Sequence, residues 1–89
     1  MTGAPCEATL WRWPGKGGWT FAPVPAAEAP AVVGPWGRTP VEATVDGQTW
    51  STSVWSDRAH GCLLPVPTEK RGGKGPGDVV VVALRERPT

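Results

Sequence analysis

The chain holds one histidine, His60, and its neighbours decide what chemistry it can do. Ser56, Asp57 and Cys62 stand close by in the run Ser56-Asp57-Arg58-Ala59-His60-Gly61-Cys62. A Cys–His nucleophile pair needs hydrogen-bond reach and a third group to orient the base. A spacing of two along a strand puts His60 and Cys62 on one face without aligning them for proton transfer, so His60 reads as a solvent-exposed turn residue. Cys6, His60 and Cys62 make three possible metal ligands without a ligand spacing, whereas a structural zinc wants four. No catalytic set, metal or cofactor is expected, and the reading leans away from an enzyme.

The larger resource is aromatic. Six tryptophans and one phenylalanine sit in 89 residues, each able to bury on the order of 150–250 Å². Two readings stand side by side. The rings either fill the interior of a small barrel, or Trp11, Trp13, Trp19, Trp50 and Trp55 wall a cavity with Arg12, Arg38 and His60 as polar handles. The second reading implies a small aromatic or anionic ligand as partner. If Trp11, Trp13 and Trp19 are instead exposed, they become stacking platforms for single-stranded DNA or RNA. The run Lys70-Arg71-Gly72-Gly73-Lys74-Gly75 supplies the anion contact that such a reading needs. There Lys70, Arg71 and Lys74 bring charge, and the glycines let backbone N–H groups approach a phosphate. The run does not fit a Walker pattern, and its plain alternative is a solvated loop.

Nine Lys/Arg against eight Asp/Glu leave a formal charge of +1. That near-balance argues against a protein that works mainly by neutralising phosphates. No stretch approaches the roughly 18 apolar residues of a membrane span. The start, Met1-Thr2-Gly3-Ala4-Pro5-Cys6-Glu7, has neither the basic flank nor the apolar segment of a secretion signal. A cytoplasmic domain with no membrane partner is therefore expected. Cys6 and Cys62 default there to free thiols, with a disulfide as the alternative.

These residues need elements to hold them. Ala8-Thr9-Leu10-Trp11-Arg12-Trp13 has strand composition, with Thr9, Trp11 and Trp13 on one face and Ala8, Leu10 and Arg12 on the other. A glycine loop at 14–18 returns the chain, so Trp19-Thr20-Phe21-Ala22 should run antiparallel to it, with Trp19 and Phe21 sharing a face. Pro23 and Pro25 should end that strand, because neither donates a ladder hydrogen bond. Residues 30–40 read as a loop crossing the barrel. Asp46-Gly47 suits a type I′ hairpin turn, which pairs Val45 with Gln48, Ala43 with Trp50 and Val41 with Thr52. Trp55 then falls on the parity opposite to Trp50. The stretch 68–78 is too glycine-rich for a helix at about 1 kcal/mol per interior glycine. The last strand, Val79-Val80-Val81-Val82-Ala83-Leu84, is apolar on both faces and is expected to be buried on both.

The two halves also repeat. Gly18-Trp19-Thr20-Phe21-Ala22-Pro23-Val24-Pro25 returns as Gly61-Cys62-Leu63-Leu64-Pro65-Val66-Pro67, and each copy leads through Gly/Pro-marked turns to an apolar strand. One supersecondary unit used twice can close around one core, and 89 residues cannot supply two. The expected fold is a single all-β domain over residues 1–89, a pseudo-symmetric barrel of six or seven strands with little helix. A barrel completed by its own repeat needs no second copy, so a monomer is expected.

Leu10-Trp11-Arg12-Trp13-Pro14-Gly15, Gly18-Trp19-Thr20-Phe21, Asp46-Gly47-Gln48-Thr49-Trp50-Ser51-Thr52-Ser53, Leu64-Pro65-Val66 and Gly77-Asp78-Val79-Val80-Val81 occur in an order that resembles the bacterial domain-of-unknown-function family nineteen-oh-five. The resemblance spans about 8–85 and implies a double-split β-barrel related to swapped-hairpin regulator barrels, without a settled activity. Members usually carry a lysine and a short basic helix after Leu-Pro-Val. This chain has Pro67 and several glycines there, so Arg71, Lys74, Gly77 and Asp78 are the positions that carry over.

Overall fold

The computed structural model describes residues 3–15, 17–30 and 34–87. Lys16 of the glycine loop, residues 31–33 of the crossing loop and the chain ends at 1–2 and 88–89 lie outside the described residues.

Asp46 and Gly47 take φ of 48° and 87°, the two positive values that a type I′ turn requires. The hairpin register follows from that turn. Strand β4 (Arg38–Val45) runs antiparallel to β5 (Gln48–Asp57), with Val45 opposite Gln48, Ala43 opposite Trp50 and Val41 opposite Thr52. The remaining strands are β1 (Cys6–Thr9), β2 (Trp11–Arg12), β3 (Thr20–Val24), β6 (Gly61–Pro65) and β7 (Val79–Glu86). Three short 3-10 turns, Ala26–Glu28, Pro35–Gly37 and Thr68–Lys70, complete the described elements. The domain is therefore all-β.

The seven strands form one antiparallel sheet in the order β1-β7-β4-β5-β6-β3-β2. Its two edges, β1 and β2, are consecutive in the chain and separated only by Leu10. The sheet is thus closed through a bent segment, 6–12, that pairs with β7 by its first half and with β3 by its second. β5 does the same on the opposite side, pairing with β4 and then with β6. The repeat explains the symmetry: β3 pairs with its counterpart β6, β4 pairs with its counterpart β7, and segment 6–12 is the counterpart of β5.

Leu10 is the pivot of the bend. Its N–H donates to the Asp78 carbonyl and its own carbonyl accepts from the Gly77 N–H, both at 2.8 Å. Gly77 has φ of 93°, a conformation open to glycine at little cost. Asp78 steadies the approach by accepting from the Gly75 N–H at 2.9 Å. The Leu10 side chain meanwhile points inward and is buried.

Ala8, Leu10, Ala22, Val24, Val41, Ala43, Val45, Val54, Leu64, Val66, Val80, Val82 and Leu84 make the core. No tryptophan is one of its buried members and only Trp50 packs against it, which corrects the expectation that indoles as a group fill or line the barrel interior. A ring of short strands encloses a space that valine, alanine and leucine fill, and an indole there would overpack it. Two other expectations change. β3 continues through Pro23 to Val24, because β2 has already left the strand after Phe21 and no ladder partner asks for the missing N–H on that side. β7 is buried on one face only, with Val79 and Val81 exposed, since the barrel is a single layer and nothing covers its outside there.

The glycine-rich stretch before β7 is pinned. Lys74 Nζ donates to Asp46 Oδ2 at 2.9 Å and to the Val79 carbonyl at 2.7 Å, while Asp46 Oδ1 accepts from the Val81 N–H at 2.8 Å. Arg71 Nε donates to the Val66 carbonyl at 3.0 Å. The hairpin turn and the loop are therefore tied to β7 by one carboxylate. The Val81 N–H first, and Lys74 second, hold the Asp46 carboxyl below its ordinary value of 3.8.

Two outcomes follow for stability. Leu10→Ala is expected to cost about 2–5 kcal/mol in urea unfolding, because it empties a core site at the closing bend; a cost comparable to that of a surface substitution would show that closure does not depend on Leu10. Asp46→Asn keeps a residue that tolerates positive φ and a type I′ turn, so it isolates the charge. A carboxyl with a lowered folded-state pKa stabilises above its ordinary value, and that contribution is lost as pH falls through the folded value. The variant should lose about 0.5–1 kcal/mol at neutral pH and converge with the wild type once the pH has fallen below the folded-state value of the carboxyl. A gap that is the same at both pH values would refute this role of the carboxylate.

Candidate functional site

The alternation that keeps small residues inside sends the large rings outside. Residues directly opposed in an antiparallel pair share a face, and the registers place Trp11 beside Phe21 and Phe21 beside Pro65. A parallel row runs Pro23, Leu63, Trp55, Arg38 across β3, β6, β5 and β4. Trp13 and Trp19 join this face at the mouth of the β2–β3 hairpin, where the Trp13 N–H donates to the Trp19 carbonyl at 2.8 Å. Phe21 is buried beneath this outer layer, its ring 6.4 Å from Trp11 and 6.2 Å from Trp13.

These rings bound a cleft of about 420 Å³. Trp13, Trp19, Phe21, Trp55 and Leu63 form its apolar walls, and Ser56 and Asp57 form its polar rim. Trp19 is 61% exposed, Trp55 41% and Trp13 36%, so the walls are open to solvent on one side. A second cleft of about 260 Å³ shares Trp19 and Trp55 with the first and adds Arg38, Ser53 and Arg87. A third, of about 350 Å³, lies on the far side of Leu63 between Trp11 and His60.

His60 is fixed. Asp57 Oδ2 lies 2.6 Å from His60 Nδ1 and also accepts the backbone N–H groups of Ala59 and His60, at 3.1 and 2.9 Å. The His60 side-chain hydrogen bond is the largest of the causes that hold the Asp57 carboxyl below its ordinary value. An ionised carboxylate only accepts, so the Nδ1 position carries the shared proton. The imidazole lies against Trp11 at 4.7 Å between centroids and meets the edge of Trp13 at 5.2 Å. It thereby props Trp13, which walls the first cleft, and Trp11, which borders the third. Cys62 is on the other side of the sheet, packed against the core, and burial pushes its thiol up to about 11. His60 and Cys62 are not on one face, as the spacing of two had implied, because His60 belongs to the turn before β6. Both cysteines are free thiols, and burial, then Glu28, raises Cys6 as well.

Of the sequence candidates, the fold brings together Trp11, Trp13, Trp19, Trp55, Arg38 and His60. Trp50 lies on the inner parity, partly buried against the core, with Lys70 Nζ 5.7 Å above its ring. The Arg12 guanidinium lies across Gly18, where a Cβ would collide with it, and lines none of the three clefts. Lys70, Arg71 and Lys74 line none of them either. Arg71 and Lys74 are spent on the hydrogen bonds that hold their loop.

Phe21, Asp57, Leu63 and Arg87 are site residues that the sequence reading did not select. Phe21 was legible from its parity with Trp19, and Asp57 from its three-residue spacing to His60. Arg87 carries no local signal, since only the β4–β7 ladder sets it near Arg38. Trp36, 94% exposed with φ of 62°, stands outside all three clefts.

No curated protein and no solved structure matches the chain. One family does: the profile described as "Domain of unknown function (DUF1905)" matches residues 7–84, a span that begins in β1, ends in β7 and includes the Leu10 bend, the Asp46-Gly47 turn and the Gly77-Asp78 anchor. The chain belongs to that family.

Proposed function

We propose that this domain is a non-enzymatic binding module and that its site is the tryptophan-walled cleft on the outer face of β3, β6 and β5. The ligand is a small molecule with a flat or branched apolar body. The observation that carries this reading is the gathering of Trp13, Trp19, Phe21 and Trp55 around one cleft outside a core that needs none of them. Covering the exposed part of Trp19 alone is worth on the order of 2–4 kcal/mol at about 25 cal/mol per Å². The separation of His60 from Cys62 supports a binding role over nucleophilic catalysis. Two free thiols suit a reducing compartment such as the cytoplasm, and a ring closed within one chain suits a monomer.

A stacking platform for single-stranded nucleic acid would need cations along the aromatic face to follow the backbone. Lys70, Arg71 and Lys74 lie away from the clefts and only Arg38 and Arg87 border the aromatic face, too short a cationic track to follow a strand, so this reading has less support.

Titration of the intrinsic tryptophan emission with a library of small aromatic compounds tests the cleft. Binders are expected to shift or quench the emission, to lose about tenfold or more in affinity in Trp19→Ala and in Trp55→Ala, a change of about 1.4 kcal/mol each, and to be unaffected by Trp36→Ala. A library with no binder, or equal losses in all three variants, would overturn the proposal.

A further inference from the structure

The cleft has a polarity along its length, and it specifies the ligand further. Resting on the cleft reading above, we infer that the bound molecule is an amphipathic monocarboxylate, with its apolar body against Trp19 and Trp55 and its carboxylate between Arg38 and Arg87.

Trp19 and Trp55 are shared by the two clefts, so a molecule lying on them reaches from the apolar basin into the pocket that holds both arginines. The Arg38 guanidinium lies over the Trp55 ring, its central carbon 4.7 Å from the centroid. A contact with a ring face takes none of the five N–H donors of a guanidinium as hydrogen bonds, and a guanidinium edge matches a carboxylate with two parallel hydrogen bonds. Among the described residues neither Arg38 nor Arg87 has an acidic partner. The acidic partners there belong to Lys74, paired with Asp46, and to His60, hydrogen-bonded to Asp57. Ser53 lines the same pocket and can donate a hydroxyl hydrogen bond.

The first cleft disfavours a second anion. Asp57 lines it and does not line the pocket that holds the arginines, and its carboxyl, held below the ordinary range first by the His60 hydrogen bond, is ionised at neutral pH. A dicarboxylate spanning the cleft would bring like charges together, whereas a molecule with one charged end and one apolar end meets complementary groups along its whole length.

The test compares three probes of one shape on the wild-type protein: 4-phenylbutyrate, 4-phenylbutanol and 4-phenylbutylamine, followed by tryptophan emission and by calorimetry. The carboxylate is expected to bind at least tenfold more tightly than the alcohol and to weaken as salt is raised, while the affinity of the amine, which has Asp57 and not the arginines to meet, should not fall in the arginine variants. Arg38→Gln and Arg87→Gln should each bring the carboxylate towards the affinity of the alcohol and leave the alcohol unchanged. An alcohol that binds as tightly as the carboxylate would overturn the charge assignment while leaving the apolar cleft standing. Absence of binding by all three would overturn this inference too, and the library titration would then decide separately whether the cleft is a site at all. Because the probe comparison needs no variant, a folding defect in either arginine substitution cannot mask the result.

Discussion

Everything in this domain depends on how the sheet is closed. A single segment, 6–12, serves both edges, and it can do so only because the backbone of Leu10 turns from β7 to β3 while keeping both of its hydrogen bonds, to Asp78 and from Gly77. An edge strand left open would present unpaired N–H and carbonyl groups to solvent and to other chains. Here the bend hands the segment from one neighbour to the next, with only the Leu10 position satisfied by a loop. The glycine at 77 matters because its positive φ aims an N–H at that one carbonyl. β5 solves the same problem on the opposite side with a continuous strand, and buried Val54 there answers to buried Leu10 here.

Closure with so few strands makes a narrow interior, and the narrow interior decides where the aromatics go. The inward positions are occupied by alanine, valine and leucine. Four indoles and Phe21 therefore collect on the outside, where the registers of β2, β3, β6 and β5 bring them side by side. Phe21 shows the consequence most clearly: it is as buried as many core residues, yet its neighbours are Trp11 and Trp13 and not the barrel interior. The domain has in effect a second, outward layer of packing that stops short of covering itself. The Asp57–His60 pair finishes that layer by wedging an imidazole against two indoles.

Charge is divided in a similar way. The cations that are dense in sequence, at 70–74, hold a glycine-rich loop to the Asp46 turn and to Val66, so their charge is used inside the molecule. The cations that face the cleft, Arg38 and Arg87, are 49 positions apart in the chain. A run of basic residues is thus a poor guide here to where an anion would be met, because nearness in sequence favours local hydrogen bonds to the loop itself.

Much of the fold is legible in the sequence. The Asp46-Gly47 pair dictates a type I′ turn, that turn sets the β4–β5 register, and the period of two assigns Thr9, Trp11 and Trp13 to one face and Ala8 and Leu10 to the other. The repeat likewise announces a two-fold ring. These are local instructions, carried by residues near one another in the chain. What the sequence could not say is which face of each strand looks inward, since an indole and a valine are both apolar. Only closure of the ring, which leaves room for the smaller side chain, settles that choice. Tertiary structure alone also bound Lys74 to Asp46 and placed Arg87 in one cleft with Arg38, because each depends on pairings between strands far apart in sequence, and a ladder register is not visible until both strands are in place.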